Sequence, residues 1–132
     1  MIHFEEMKLD ENSPIYLQII DFIKGGLAAG TIVYGDELPS RRVLSALLGI
    51  NPNTVQKAYA MLEAGELIRS HTGAKSCISA SPQKIAEIKD ALAEEGGRRA
   101  VQTLKAAGYS KAEAIAMIER YWDAEDRRES EK

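Results

Sequence analysis

This 132-residue chain is poor in cysteine and histidine and has no long apolar run, and no leader peptide is expected at its start. Its single cysteine, Cys77, can form no internal disulfide, and its two histidines, His3 and His71, lie too far apart for a zinc set of familiar spacing. Neither histidine sits in a motif that would make it a base for a nucleophile, so no catalytic residue, metal or cofactor is expected. No apolar run approaches the ~18 residues that a membrane span needs. The opening stretch MIHFEEMKLDENS carries acids where a secretory leader has a basic region. The expectation is a cytoplasmic protein, not an enzyme, with no membrane partner.

The most informative absence is of acidic side chains. Leu38 to Leu62 contains neither Asp nor Glu, although 20 acids in 132 residues would place about four in any window of 25. Arg41, Arg42 and Lys57 fall inside that gap, so a chain of net charge −3 holds a locally positive surface. A polyanion is the partner that such a surface suits.

Turn residues and apolar spacing divide what remains. Ser13-Pro14 reads as the cap and first residue of a helix whose Ile15, Ile19, Phe22, Ile23 and Leu27 recur at helical spacing. Gly25-Gly26 weakens it by roughly 1 kcal/mol per glycine, enough to loosen it or end it early. TIVYGDELP is a short extended piece with a turn at Gly35-Asp36. Ser40 caps a second helix with Leu44, Leu47 and Leu48 as its buried stripe, and Asn51-Pro52 opens a third after a turn at Gly49-Ile50. In that third helix Val55, Ala58, Tyr59 and Leu62 share one face, while Asn53, Gln56, Lys57 and Ala60 share the other.

Two short helices joined by a tight glycine turn describe a helix-turn-helix, whose second helix enters a DNA major groove by its N-terminus. The residues opening the third helix suit that role. Asn and Gln pair bidentately with adenine, Lys reaches guanine, and Thr54 can meet a phosphate or a thymine methyl. Asn51 is accounted for equally well as a plain cap. ELIRS and SCIS then read as two strands around the loop HTGAK, a basic-tipped hairpin or wing, in which Cys77 is a small buried hydrophobe. Ser81-Pro82 opens a long helix with Ile85, Ile88, Leu92, Val101 and Leu104 apolar and a place to kink at Gly96-Gly97. Gly108 stops it, and Ser110 with Glu113 forms the capping box of a last helix carrying Ile115, Ile118, Tyr121 and Trp122. A tail of this length cannot bury those stripes against itself, which predicts pairing between two chains. The fold expected is mainly α with a small β wing: a winged helix-turn-helix over residues 1–80 and a two-helix dimerisation tail over 81–132.

PIYLQI, GDELPSRR and GINPNTVQKAYAMLEAGELI resemble, in order and spacing, the GntR family of bacterial winged-helix transcription factors, and the short tail resembles its YtrA-like subfamily. The resemblance implies DNA contacts from Ser40, Arg41 and Arg42, from Asn51, Asn53, Thr54, Gln56 and Lys57, and from Thr72, Gly73 and Lys75 on the wing. It implies a homodimeric repressor of a transporter-type operon, bound to double-stranded DNA at an inverted-repeat operator. A small-molecule effector, if one exists, would need a small pocket between tail helices or between domains. The rival reading keeps the same fold as a protein-interaction or assembly module without specific DNA binding.

Overall fold

The computed structural model describes residues 1–71 and 75–130. A 3₁₀ turn at Phe4–Glu6 precedes α1 (Ile15–Ala29), β1 (Glu37–Leu38), α2 (Arg41–Leu48), α3 (Pro52–Ala64), β2 (Ile68–Ser70), β3 (Ser76–Ile78), α4 (Pro82–Ala106) and α5 (Lys111–Ser130). The strands form an antiparallel sheet of order β1-β3-β2, with Glu37 opposite Cys77 and Ile68 opposite Ile78. The chain divides into two compact units, Met1–Leu92 and Ala93–Lys132.

The first unit is built around α1 and α3. Ile19, Ile23 and Leu27 lie at successive turns of α1 and are buried, as are Leu44 of α2, Val55, Ala58, Tyr59 and Leu62 of α3, and Leu38, Ile68 and Ile78 of the sheet. Each large apolar side chain so buried contributes about 1.5–3 kcal/mol. Ile2 and Phe4 belong to the same core, which the acidic opening stretch conceals. Phe4 packs on Phe22 with ring centroids 5.2 Å apart, and the Ile2 N–H donates to the Glu37 carbonyl at 2.8 Å.

Several details depart from what the sequence leads one to expect, among them that Cys77 and Leu48, expected to be buried, are half-buried. Pro14, not Ser13, holds the cap position of α1; its carbonyl accepts from the N–H groups of Leu17 and Gln18. The Gln18 side-chain amide instead ties the approaching chain, donating to the Asp10 and Ser13 carbonyls and accepting from the Asp10 N–H. Helix α1 also runs through Gly25-Gly26 to Ala29. Gly26 is required by packing, because a Cβ there would stand 2.6 Å from Ile32 Cγ1. Leu47 is 46% exposed and the inward place on α2 goes to Ser45.

The second unit holds the C-terminal end of α4 and all of α5, and its order is local. α4 is continuous through Gly96-Gly97 and carries the pairs Glu94–Arg98 and Glu95–Arg99 at helical i,i+4 spacing. Its end is closed by the Gly108 and Tyr109 N–H groups, which donate to the Lys105 and Leu104 carbonyls. At the start of α5 the Glu113 N–H donates to Ser110 Oγ at 3.2 Å and the Ser110 N–H to Glu113 Oε1 at 3.0 Å, forming the capping box. Among the described side chains of this unit none is buried. No helix of the described residues is long and apolar enough to cross a membrane.

Candidate nucleic-acid interface

The turn between α2 and α3 sets the geometry of this surface. Ser40 Oγ accepts from the Val43 N–H at 3.2 Å and starts α2, and Gly49 ends it at φ 66°, a left-handed conformation that favours glycine. Ser45 then clamps the turn, its hydroxyl donating to the Ile50 carbonyl at 2.5 Å while its own carbonyl accepts from the Ile50 N–H at 3.0 Å. Ser45 is not among the residues expected from the sequence; its signal is a hydroxyl in the apolar stripe five residues before the turn's end. Asn51 Oδ1 accepts from the Asn53 N–H at 2.8 Å, and Pro52 occupies the first helical position of α3.

Because Val55, Ala58, Tyr59 and Leu62 face inward, the outward stripe is dictated. Asn53, Gln56, Lys57 and Ala60 are exposed, and Thr54 is half-buried beside them. Arg41 and Arg42 fill the first turn of α2, which contains no acid. Among the described residues the carboxylates in contact with a basic side chain are those of Glu5 with His3, Glu37 with Lys75, Glu94 with Arg98 and Glu95 with Arg99, so Arg41, Arg42 and Lys57 keep their charge without a carboxylate partner there. A positive helix N-terminus bearing unpaired cations raises the local potential toward anions.

Two of these cations are seated on aromatic rings. The Arg41 guanidinium carbon lies 5.2 Å from the Tyr59 ring centroid, and its Nε is buried with no hydrogen-bond partner among the described residues. The Tyr59 hydroxyl in turn donates to the Pro39 carbonyl at 2.6 Å, and burial pushes its phenol far above the usual tyrosine range, with Arg41 acting weakly in the opposite direction. Arg41 is therefore partly built into the α2–α3 packing, whereas Arg42 is exposed. The Lys57 ammonium lies 4.0 Å from the Tyr16 ring centroid. Tyr16 belongs to a different helix, and no sequence spacing links it to Lys57.

On the hairpin, Thr72 and Gly73 lie outside the described residues. Lys75 Nζ stands 3.5 Å from Glu37 Oε2, and the His71 N–H donates to the Lys75 carbonyl at 3.0 Å. Cys77 is half-buried, on the sheet face opposite that of the buried Ser76 and Ile78. Of the apolar tail positions, Leu92, Val101, Ile115, Ile118, Tyr121 and Trp122 are exposed and Leu104 is half-buried. Ile85 and Ile88 are half-buried against the core of the first unit.

Three helices, with α2 and α3 joined by a clamped glycine turn, and a small antiparallel sheet whose β2–β3 hairpin follows α3, define a winged helix-turn-helix protein. The profile of the bacterial regulatory proteins of the gntR family matches residues 15–76. The chain is 31% identical over 114 residues to YhcF of Bacillus subtilis, an HTH-type transcriptional regulator, covering 86% of this chain and 94% of that one. It is 43% identical over 68 residues to the B. subtilis transcriptional repressor YtrA, covering 52% of each. A solved GntR family transcriptional regulator from Listeria monocytogenes superposes with a TM-score of 0.74 at 30% identity, over 85% of this chain and 98% of that one. The chain belongs to the GntR family of helix-turn-helix transcriptional regulators, in its short, YtrA-like form.

Proposed function

We propose that this protein is a homodimeric, sequence-specific repressor, in which residues 1–80 bind an inverted-repeat operator and residues 81–132 hold two chains together. The observation that carries the reading is the outward stripe of α3. Asn53, Gln56 and Lys57 are exposed at its N-terminal end, free of acids, beside Arg41 and Arg42, which no carboxylate among the described residues neutralises. Base-edge recognition asks for amide and cationic side chains at the leading end of a helix, and phosphate contact asks for unpaired cations at its flank. Dimerisation is supported by Ile115, Ile118, Tyr121 and Trp122, a row of exposed apolar residues along α5 that the described residues of its own unit do not cover. Control of a transporter-type operon rests on the family resemblance alone.

The test is binding of the full-length protein to the DNA upstream of its own gene, against scrambled competitor, at two salt concentrations. A specific site should bind with Kd of about 10⁻⁸ to 10⁻¹¹ M, and competitor at about 10⁻⁴ to 10⁻⁶ M. The protected site should be an inverted repeat with half-site centres about 10 bp apart. Gln56→Ala should cost about 1–3 kcal/mol per half-site, chiefly on the cognate sequence. Arg42→Ala should weaken all sequences alike and flatten the salt slope by about 0.9 for each phosphate it leaves unneutralised. Equal affinity for every sequence would overturn the reading in favour of an assembly module.

A further inference from the structure

Tyr16 is the second residue of α1, half-buried against the core of the first unit, and its ring lies under the Lys57 ammonium at 4.0 Å. The two partners differ in freedom. Lys57 is an exposed side chain on a flexible four-carbon stem, with no ion pair among the described residues, while Tyr16 is held by the packing of α1. A ring fixed in the core that attracts a mobile cation selects among that cation's rotamers. At an exposed site the attraction changes the population by about two- to fivefold. Tyr59 does the same for Arg41 at 5.2 Å, but there the ring is fully buried and the cation partly so, which makes that pair part of the fold itself.

We infer that Tyr16 is a positioning residue of the DNA interface, holding Lys57 over its ring so that the ammonium is already aimed when α3 meets a base edge. The inference rests on the proposed role of α3 in reading DNA. Its physical content is preorganisation: a side chain ordered before binding loses less freedom on binding. The contribution comes from the ring face, not the hydroxyl, and acts only through Lys57.

Tyr16→Phe, Tyr16→Leu, Lys57→Ala and the double variant Tyr16→Leu/Lys57→Ala separate this from a packing role. Tyr16→Phe should bind the upstream site like the wild type. Tyr16→Leu should lose about two- to fivefold per half-site, or about four- to twenty-fivefold for a dimer on both. In the Lys57→Ala background Tyr16→Leu should change nothing further. An equal loss in both backgrounds would make Tyr16 a packing residue, a loss in Tyr16→Phe as large as in Tyr16→Leu would assign the effect to the hydroxyl, and tighter binding by Tyr16→Leu would mean that the ring restrains Lys57; each overturns the inference. An NMR measurement without DNA stands apart from the function. The Lys57 Hε resonances should be shifted upfield by the ring in wild type and Tyr16→Phe and return to ordinary values in Tyr16→Leu. Unshifted Hε resonances in the wild type overturn the inference at its geometric root. A shifted wild type that prefers no DNA sequence overturns the proposed function instead, and this role of Tyr16 with it.

Discussion

Tyr59 of the first unit and Trp122 of the second are both large aromatic residues on helices, yet Tyr59 is 1% exposed and Trp122 71%. Tyr59 is enclosed because α3 is packed against α1 and α2 and its hydroxyl finds the Pro39 carbonyl. Trp122 belongs to a unit in which no described side chain is buried. Caps, i,i+4 ion pairs and helix propensity hold α5 and the end of α4, and such terms stabilise isolated helices only marginally. The two units therefore draw their stability from different sources. The first closes its core within one chain, and the second has its apolar surface still to cover, so its stability should be linked by mass action to whatever covers it.

Truncating one residue in each unit should have very different consequences. Tyr59→Ala empties a buried site and removes the bond to Pro39, and should cost about 3–5 kcal/mol in urea denaturation at every protein concentration. Ile118→Ala removes an exposed side chain and should change the unfolding of dilute protein by no more than about 0.5 kcal/mol. At high concentration the same variant should sediment as monomer under conditions in which the proposed dimer forms in the wild type. A cost for Ile118→Ala comparable to that of Tyr59→Ala in dilute protein would mean that α5 is already covered within its own chain.

Glycines sharpen the contrast at a smaller scale. Gly26 and Gly97 both lie inside helices, where alanine is ordinarily better by roughly 1 kcal/mol. At Gly26 an added Cβ runs into the Ile32 side chain, so Gly26→Ala should destabilise by about 1–3 kcal/mol as overpacking does. At Gly97 the Cβ would meet nothing within 4 Å, so Gly97→Ala should stabilise by about 0.4–1 kcal/mol. Thermal unfolding of the two variants should therefore move in opposite directions. A destabilising Gly97→Ala would show that something packs there.

What can be read from residues alone follows the same division between local and distant causes. The caps at Ser40, Asn51, Ser81 and Ser110 and the inward face of α3 are legible, because cap and helical period are written within a few consecutive residues. Ser13 and Leu47 mislead because a serine before proline and a leucine on a short helix match local rules, whereas the Gln18 amide ties the Ser13 carbonyl and Ser45 takes the inward place on α2. Ile2 and Phe4 escape notice because their partners, Glu37 and Phe22, are distant in sequence. The charged residues of the candidate interface are legible from the gap in acidic residues. Their seating on Tyr16 and Tyr59 is not, since it depends on how α1 and α2 pack on α3.

The smallest expected effect concerns the capping box of α5, where the second unit depends on local bonds alone. The Ser110 backbone N–H donates to the Glu113 carboxylate, and with the Ser110 hydroxyl it holds that carboxyl below its ordinary value, slight desolvation acting the other way. A carboxyl whose folded value is depressed favours the folded cap above its unfolded value, and that contribution is lost as pH falls through the lower folded value. The group is fully exposed, so water and salt screen the effect. The first turn of α5 should fray on acidification, seen as a drift of the Ala112 to Ile115 Cα chemical shifts toward coil values, and Glu113→Gln should abolish that pH dependence while keeping most of the helix. The first turn of α3 is the control: its cap is the neutral amide of Asn51, and Val55 behind it is fully buried, so its shifts should stay constant over the same range. Equal fraying of both turns would mean that the first unit is no better anchored than the second.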